Sequence, residues 1–204
     1  MPLVANGIYA HGPDRPYEAE SAYYLNYQII SALASLDYLN KAPDEGIWEN
    51  RCQYFHFYTD HLMFSVGQIA NRFVITNRDD QLTEERKKQN RQNFQFTDDE
   101  YPILSNKLPR NTIEHIDEHD QAIIQTYRGV GGFNLIDDQT KPDLIVFFRN
   151  NTHTHPYTLD LLQRKLFIRR GENDLVIDLD ALKNELLSLQ GKVKYFQQIV
   201  SNIF

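Results

Sequence analysis

Arg110, Asn111 and His115 place a permanent cation, an amide and an imidazole within one short segment of the chain. An arginine guanidinium suits phosphate, and a histidine titrates near neutral pH. Asn111 precedes His115 by one helical turn, where its amide can orient the ring. Together these groups can cut an RNA phosphodiester without metal: the imidazole moves a proton, the guanidinium stabilises phosphate charge, and the 2′-hydroxyl is the nucleophile.

Two other arginines precede a histidine at similar spacing, Arg51 before His56 and Arg149 before His155. Composition alone produces about one such pair, so the spacing needs its context. Asparagines and Pro156 interrupt the second pair, which predicts a strand end or a loop. Arg51 and His56 open a helix crowded with aromatic residues, where a packing role is expected. The segment that begins at Arg110 is therefore the preferred catalytic candidate.

The segment from Pro109 to about Arg128 has the pattern of an amphipathic helix, with an apolar stripe formed by Ile113, Ile116, Ile123 and Tyr127. Pro109 fits the first turn, so Arg110 and His115 fall in the first two turns and off the stripe. Five positions separate them, about 140° around the helix axis, so they do not share a face. A homodimer with a two-fold axis would bring both copies into one cleft.

The string RNTIEH, on the third predicted long helix of an otherwise helical protein, resembles the R-x-x-x-x-H motif of the HEPN superfamily. This resemblance implies a homodimeric or pseudo-dimeric, metal-independent endoribonuclease of toxin or antiphage type that needs no cofactor. It implies that Arg110 and His115 form the catalytic pair and that Asn111 supports them. It also implies RNA as substrate and an antitoxin or defence-system protein as partner. Some HEPN toxins carry a modified tyrosine two residues after the histidine, where this chain has Asp117.

Two alternatives share these residues. His115, Glu118 and His119 spell the H-x-x-E-H order of an inverted zinc peptidase motif, but Leu189 to Gln197 holds no carboxylate to serve as third ligand. Alternatively, Arg110 pairs with Glu114 or Glu118 on a solvated acidic helix face, and the protein is a non-catalytic, HEPN-like dimeric binding protein.

Composition limits the class of protein. The chain has 204 residues, 41% of them hydrophobic, which suits one domain spanning 1–204 with its own core. The lone Cys52 excludes an internal disulfide and is expected to be a small core residue. No membrane span or secretory signal is expected, which favours a cytoplasmic protein.

The net charge of −7 argues against a protein that coats nucleic acid, so any RNA contact must be local. Two basic runs can supply such a contact: Arg86-Lys87-Lys88 with Arg91, and Arg164-Lys165 with Arg169-Arg170.

The predicted architecture is mainly α, a four-helix-bundle-like HEPN domain. Its long helices are expected at 18–39, at 47–73, at 109–128 and after Asp178, which can cap the last one. The segment 77–96 is expected to be a weakly ordered helical turn or two. The β-rich segment 129–178, between the third and fourth long helices, is predicted to form a small antiparallel sheet of three or four strands, with one strand at Leu144 to Phe148 and a loop containing His153 and His155.

Overall fold

A computed structural model of the chain describes residues 3–5, 8–10, 15–41, 51–106, 133–150, 157–168 and 175–203. These residues are mainly helical, with a two-stranded antiparallel sheet near the amino terminus and a four-stranded sheet in the carboxyl-terminal half. The described helices are α1 (Arg15–Tyr38), α2 (Arg51–Phe73), α3 (Gln81–Asn93), α4 (Pro142–Asn150) and α5 (Leu179–Ile203). The strands are β1 (Leu3–Ala5), β2 (Ile8–Ala10), β3 (Phe133–Ile136), β4 (Tyr157–Asp160), β5 (Lys165–Ile168) and β6 (Leu175–Asp178).

Helix α1 packs against both α2 and α5, and the core of the protein lies between these three helices. Each helix contributes apolar side chains at steps of three and four residues, which place them on one face. The fully or almost fully buried members on α1 and α5 are Ala22, Leu25, Ile29, Ala32, Leu36, Leu182, Leu186, Leu189, Val193 and Phe196. The predicted first, second and last helices are therefore confirmed.

The segment after α3 contributes aromatic rings to this core. Phe96 stacks on Phe73 of α2, with ring centroids 4.0 Å apart, and Phe94 contacts Phe196 of α5 at 5.0 Å. The buried Tyr101 stacks on Phe96 at 4.7 Å. These contacts bury large rings between helices that are far apart in sequence, so they tie α2, α3 and α5 into one unit.

Helix α3 is longer and better fixed than the sequence predicts. Asp80 is its N-cap, and the carboxylate accepts a hydrogen bond of 2.7 Å from the backbone N–H of Thr83. Asn90 is buried, and its amide donates to the carbonyl of Arg72 at 3.1 Å. The expectation of a weakly ordered turn or two at 77–96 was wrong, because these polar contacts dock a charged sequence that has little apolar surface of its own.

The sheet also differs from the prediction. Its strand order is β3-β4-β5-β6; the last two pairings are antiparallel, but β3 and β4 are parallel. The predicted strand at Leu144 to Phe148 lies in helix α4. Pro142 stands at the first helical position, where its fixed φ favours a helix over the β propensity of the apolar run. A parallel pair also needs a crossover between its strands, and α4 lies in that connection.

Asp178 caps α5 as predicted: its carboxylate accepts from the backbone N–H groups of Asp180 and Ala181 at 3.0 and 2.9 Å. The predicted third long helix at 109–128 lies outside the described residues, so the four-helix-bundle arrangement stays a prediction.

Prediction on the α2–α3 connection. Lys87 of α3 donates to both carboxylate oxygens of Asp79 at 2.8 Å. Its hydrogen bond, together with the N–H of Thr76, lowers the pKa of Asp79 to about 2. Because the folded pKa lies below the unfolded one, this pair stabilises the fold above about pH 4 and stops doing so as the pH falls towards 2. We expect Asp79→Asn to lower the urea midpoint at pH 7, and the difference from wild type to shrink between pH 4 and 2.

The matched control is Asp99→Asn, which removes an exposed carboxylate and should leave the urea midpoint nearly unchanged at all pH values. A stability difference for Asp79→Asn that stays constant from pH 7 to pH 2 would contradict the assigned ion pair.

Candidate functional site

The predicted catalytic residues Arg110, Asn111 and His115 lie outside the described residues. The same is true of Glu118 and His119 of the zinc alternative, of His153 and His155, and of Arg169 and Arg170. The structure does describe residues of the other two Arg–His pairs and most of the predicted basic runs. It also describes a groove that the sequence analysis did not single out.

Arg51, at the start of α2, has a structural role in an ion pair. Its guanidinium contacts Asp137 at 2.9 Å and Asp138 at 3.3 Å. Asp137 is almost buried at the end of β3. Burial by itself would raise the pKa of Asp137, but hydrogen bonds from Arg51, Thr140 and Gln139 lower it below its usual value. The ion pair therefore joins α2 to the sheet. Because the Arg51 guanidinium is bound to these carboxylates, it is not placed to bind a phosphate.

His56 packs in the way the sequence predicts. Its ring stacks on Phe133 of β3, with centroids 4.9 Å apart and planes at 11°. Its Nε2 lies 3.5 Å from Oδ2 of Asp60, one turn later on α2. Burial raises the pKa of Asp60, while His56 and His61 act to lower it. His56 thus contacts β3 and its own helix, so the predicted packing role is confirmed.

Arg149 lies in the last turn of α4, not at the strand end or loop that the sequence predicts. Its Nε donates to Oδ2 of Asp160 at 2.7 Å, and the Asp160 side chain is 0% exposed. Asp160 also accepts the N–H of Gln163 at 2.9 Å. Since a buried carboxylate needs a cation and hydrogen bonds, Arg149 holds α4 to β4.

Cys52 is exposed, which corrects the expectation of a core residue. Its position follows from its place in the first turn of α2, beside β3, where the thiol lies 3.9 Å from the carbonyl of Phe133. Partial burial of the sulfur and then the carboxylate of Asp137 raise the pKa of the Cys52 thiol. A raised pKa disfavours the thiolate, so the geometry does not activate Cys52 as a nucleophile.

Most of the described cations of the predicted basic runs are engaged within the protein. Lys88 pairs with Glu84, Arg91 with Asp98, and Arg164 with Asp180, while Lys87 is held by Asp79. These described residues therefore act mainly as partners in local ion pairs. Arg86 and Lys87 also line a surface groove.

We name this feature the tyrosine–arginine groove. It crosses α1, α2 and α3 as two adjoining hollows that share Arg72. The first, of about 430 Å³, is lined by Glu20, Ser21, Tyr23, Tyr24, Tyr27 and Arg72. The second, of about 330 Å³, is lined by Gln68, Asn71, Arg72, Thr83, Arg86, Lys87 and Asn90.

Tyr24 and Arg72 form the centre of the groove. The Arg72 guanidinium carbon lies 4.5 Å from the centroid of the Tyr24 ring, a cation–π arrangement. The Tyr24 hydroxyl donates to Oε1 of Gln68 at 3.2 Å, which fixes the ring. Among the described residues, no carboxylate lies within ion-pair distance of Arg72. The groove therefore presents a positioned cation next to aromatic rings and amides.

The sequence analysis missed Tyr23, Tyr24, Tyr27 and Arg72. Tyr23 and Tyr27 are spaced four residues apart and lie off the apolar stripe of α1. This pattern could have indicated two aromatic rings on an outward helix face. The contribution of Arg72 could not be found in the same way, because it depends on how α2 packs beside α1.

A separate polar hollow, outside the tyrosine–arginine groove, lies between the ends of α1 and β3 and the start of α2. Its lining includes Arg51, Asp137, Asp138 and Arg164. Arg164 pairs with Asp180 and also hydrogen-bonds the side chain of Asn40. Arg51 and Arg164 are thus both engaged by carboxylates, so neither arginine is presented to a ligand as an unpaired cation.

In the part of the chain that the structure describes, no group of three or more His, Cys, Asp or Glu side chains is arranged to hold a metal ion. None of the described helices combines the length and hydropathy of a membrane span. No family model, curated protein or solved structure matches the chain.

Prediction on the Arg149–Asp160 pair. Replacing Arg149 by Gln leaves the buried Asp160 carboxylate without its cation, so the free energy of unfolding should fall below that of wild type. Urea unfolding followed by circular dichroism measures this. Arg78→Gln, at an exposed arginine between α2 and α3, is the control and should change stability by less than about 0.5 kcal/mol. Equal stability of the two variants would show that Asp160 does not depend on Arg149.

Proposed function

We propose that this protein is a metal-independent endoribonuclease of HEPN type, with Arg110 and His115 as its catalytic pair and Asn111 in support. The observation that carries the proposal is that the arginines of the other two Arg–His pairs serve as structural ion-pair partners. Arg51 and Arg149 are held by carboxylates that join helices to the sheet. The pair in the string RNTIEH is the one whose sequence context favours chemistry, and the described residues form the mainly helical protein that the proposal requires.

The proposed reaction needs only groups of the protein and the RNA. The 2′-oxygen attacks the adjacent phosphorus and loses its proton, and the 5′-oxygen of the next nucleotide leaves and gains one. His115 moves a proton in this exchange, and Arg110 stabilises the charge that develops on the phosphate oxygens. Asn111 orients the imidazole. The products are a 2′,3′-cyclic phosphate and a 5′-hydroxyl, so atoms and charge balance.

The biological setting is proposed from the same resemblance. A cytoplasmic toxin or antiphage enzyme, opposed or triggered by a partner protein, needs to cut a limited set of RNAs. The net charge of −7 fits such selectivity, because a strongly acidic protein does not hold RNA by bulk attraction.

A non-catalytic RNA-binding protein is the second candidate. The tyrosine–arginine groove favours it, because rings, amides and a cation bind RNA but supply no group to cut it. The two candidates share a mainly helical fold and differ in one measurable property, the cleavage of bound RNA.

Prediction on catalysis. Purified protein incubated with mixed RNA in excess EDTA should produce fragments that end in 2′,3′-cyclic phosphate. His115→Ala and Arg110→Ala should each lower the cleavage rate by about 10²- to 10⁴-fold, since each removes one part of the reaction. Asn111→Ala should cost less, because the imidazole remains. Thermal unfolding of each variant should match wild type.

Three results would overturn the proposed mechanism: cleavage that needs added divalent metal, cleavage that persists in His115→Ala, or RNA binding with no cleavage. The last result would favour the non-catalytic candidate.

Prediction on assembly. On the predicted helix, the spacing of Arg110 and His115 puts them on different faces, so we expect the active species to be a homodimer. Sedimentation at micromolar concentration should give a mass of twice 24.0 kDa. The specific activity should fall on dilution at the same concentration at which the dimer separates. Full specific activity in a sample that sediments only as monomer would contradict the shared cleft.

A further inference from the structure

We infer that the tyrosine–arginine groove is a binding site for single-stranded RNA, with bases stacked on Tyr23 and Tyr27 and a backbone phosphate on Arg72. This inference deepens the proposed function, since it gives the proposed nuclease a surface that holds its substrate. It does not depend on cleavage, because binding can be measured by itself.

The two outer tyrosines form a stacking surface. Tyr23 is 74% exposed and Tyr27 is 63% exposed, although both lie beside a fully buried stripe on the same helix. Residues four apart on a helix have side chains about 5–6 Å apart on one face. Large exposed rings at this spacing suit successive unpaired bases, which stack on aromatic side chains without regard to base identity.

Arg72 supplies the charge. Its guanidinium lies over the Tyr24 ring, and Gln68 fixes that ring through the hydroxyl. A cation–π contact does not neutralise the charge of the guanidinium, so the N–H groups of Arg72 can donate to phosphate oxygens. Arg72 lines both hollows. An RNA phosphate bound to Arg72 would therefore have space for the neighbouring nucleotides in the hollow on each side.

The remaining lining is polar and carries few opposing charges. Arg86, Asn71 and Thr83 line the second hollow, where they add a cation, an amide and a hydroxyl. Glu20 lines the first hollow and opposes phosphate there. Lys87 is neutralised by Asp79, so Arg72 is the cation on which the inference relies.

Single-stranded RNA fits these features better than a duplex. The bases of an RNA helix are stacked on one another, so exposed tyrosines cannot stack on their faces without opening the pairs. Tyrosines line the first hollow of the groove, and Arg72 stands where the two hollows meet. This arrangement suits a single strand, whose bases and phosphates face different directions.

The test measures binding on a His115→Ala background, which blocks the proposed cleavage. Fluorescence anisotropy follows a labelled oligouridine of about 12 nucleotides, for which we expect a Kd of about 1–100 µM near physiological salt. Tyr23→Ala with Tyr27→Ala should weaken binding at least about tenfold, whereas Tyr23→Phe with Tyr27→Phe should retain it, because phenylalanine still stacks. Arg72→Gln should weaken binding and reduce the salt slope of log K by about 0.7, the value for one phosphate contact.

The matched control changes an aromatic residue and a cation elsewhere. Tyr195 is 62% exposed on α5 and Lys194 is exposed beside it, and neither lines the groove. Tyr195→Ala with Lys194→Gln should leave the Kd unchanged. A duplex of the same length should compete poorly against the oligouridine.

Cleavage is measured separately in groove variants that keep His115. We expect a higher KM with kcat unchanged, because the groove residues would supply binding and none of them belongs to the proposed catalytic set. If wild type cuts RNA while the groove variants keep normal Kd and KM, the groove assignment is wrong and the nuclease stands. If nothing is cut but the groove variants lose binding, the nuclease is wrong and the groove stands.

Further outcomes would overturn the groove assignment directly. These are a Kd that rises as much in the α5 control as in the groove variants, equal affinity for uridine monophosphate and the oligomer, or no binding of oligouridine.

Discussion

The burial of one face of α1 against both α2 and α5 is the constraint on which the other features depend. Leu25, Ile29 and Leu36 have no exposed surface, and burial of each such side chain stabilises the fold by about 1.5–3 kcal/mol. Since a helix is rigid, fixing these residues inward also fixes which residues face outward. Tyr23 and Tyr27 are exposed for this reason, and Tyr24 is placed towards Gln68 of α2. Packing of the core therefore sets the positions of the groove residues, although the core residues themselves do not line the groove.

A second layer of constraints comes from carboxylates at strand ends. Asp137 follows β3 and Asp160 ends β4, and both side chains are nearly or fully removed from solvent. A buried carboxylate requires a cation, so each one holds an arginine from a helix, Arg51 or Arg149. This explains why an arginine–histidine spacing in a sequence does not separate catalytic from structural pairs. The distinction depends on which carboxylates the fold brings close.

Local patterns predicted much of the fold but little of the groove. Apolar steps of three and four residues predicted α1, α2 and α5, and Asp178 was predicted as a cap, because these features act within one element. Helix α4 was predicted as a strand, because Leu144 to Phe148 reads as β-like and the influence of Pro142 was overlooked. The parallel β3–β4 pair and the docking of α3 depend on contacts between distant segments. Arg72 belongs to the groove only because α2 packs beside α1, and no spacing in the sequence encodes that.

The acidic composition and a role in RNA binding are compatible when charge is considered residue by residue. Lysines and arginines that pair with carboxylates add nothing to the attraction of a phosphate, and Lys87, Lys88 and Arg91 are all paired. A cation stacked on a ring keeps its charge uncompensated, because the ring offers polarisable electrons and not a full negative charge. The Arg72–Tyr24 contact is such an arrangement. At the inferred site, RNA would be attracted weakly from a distance and held only where rings and cation coincide, which would place selectivity in the local shape and not in the net charge.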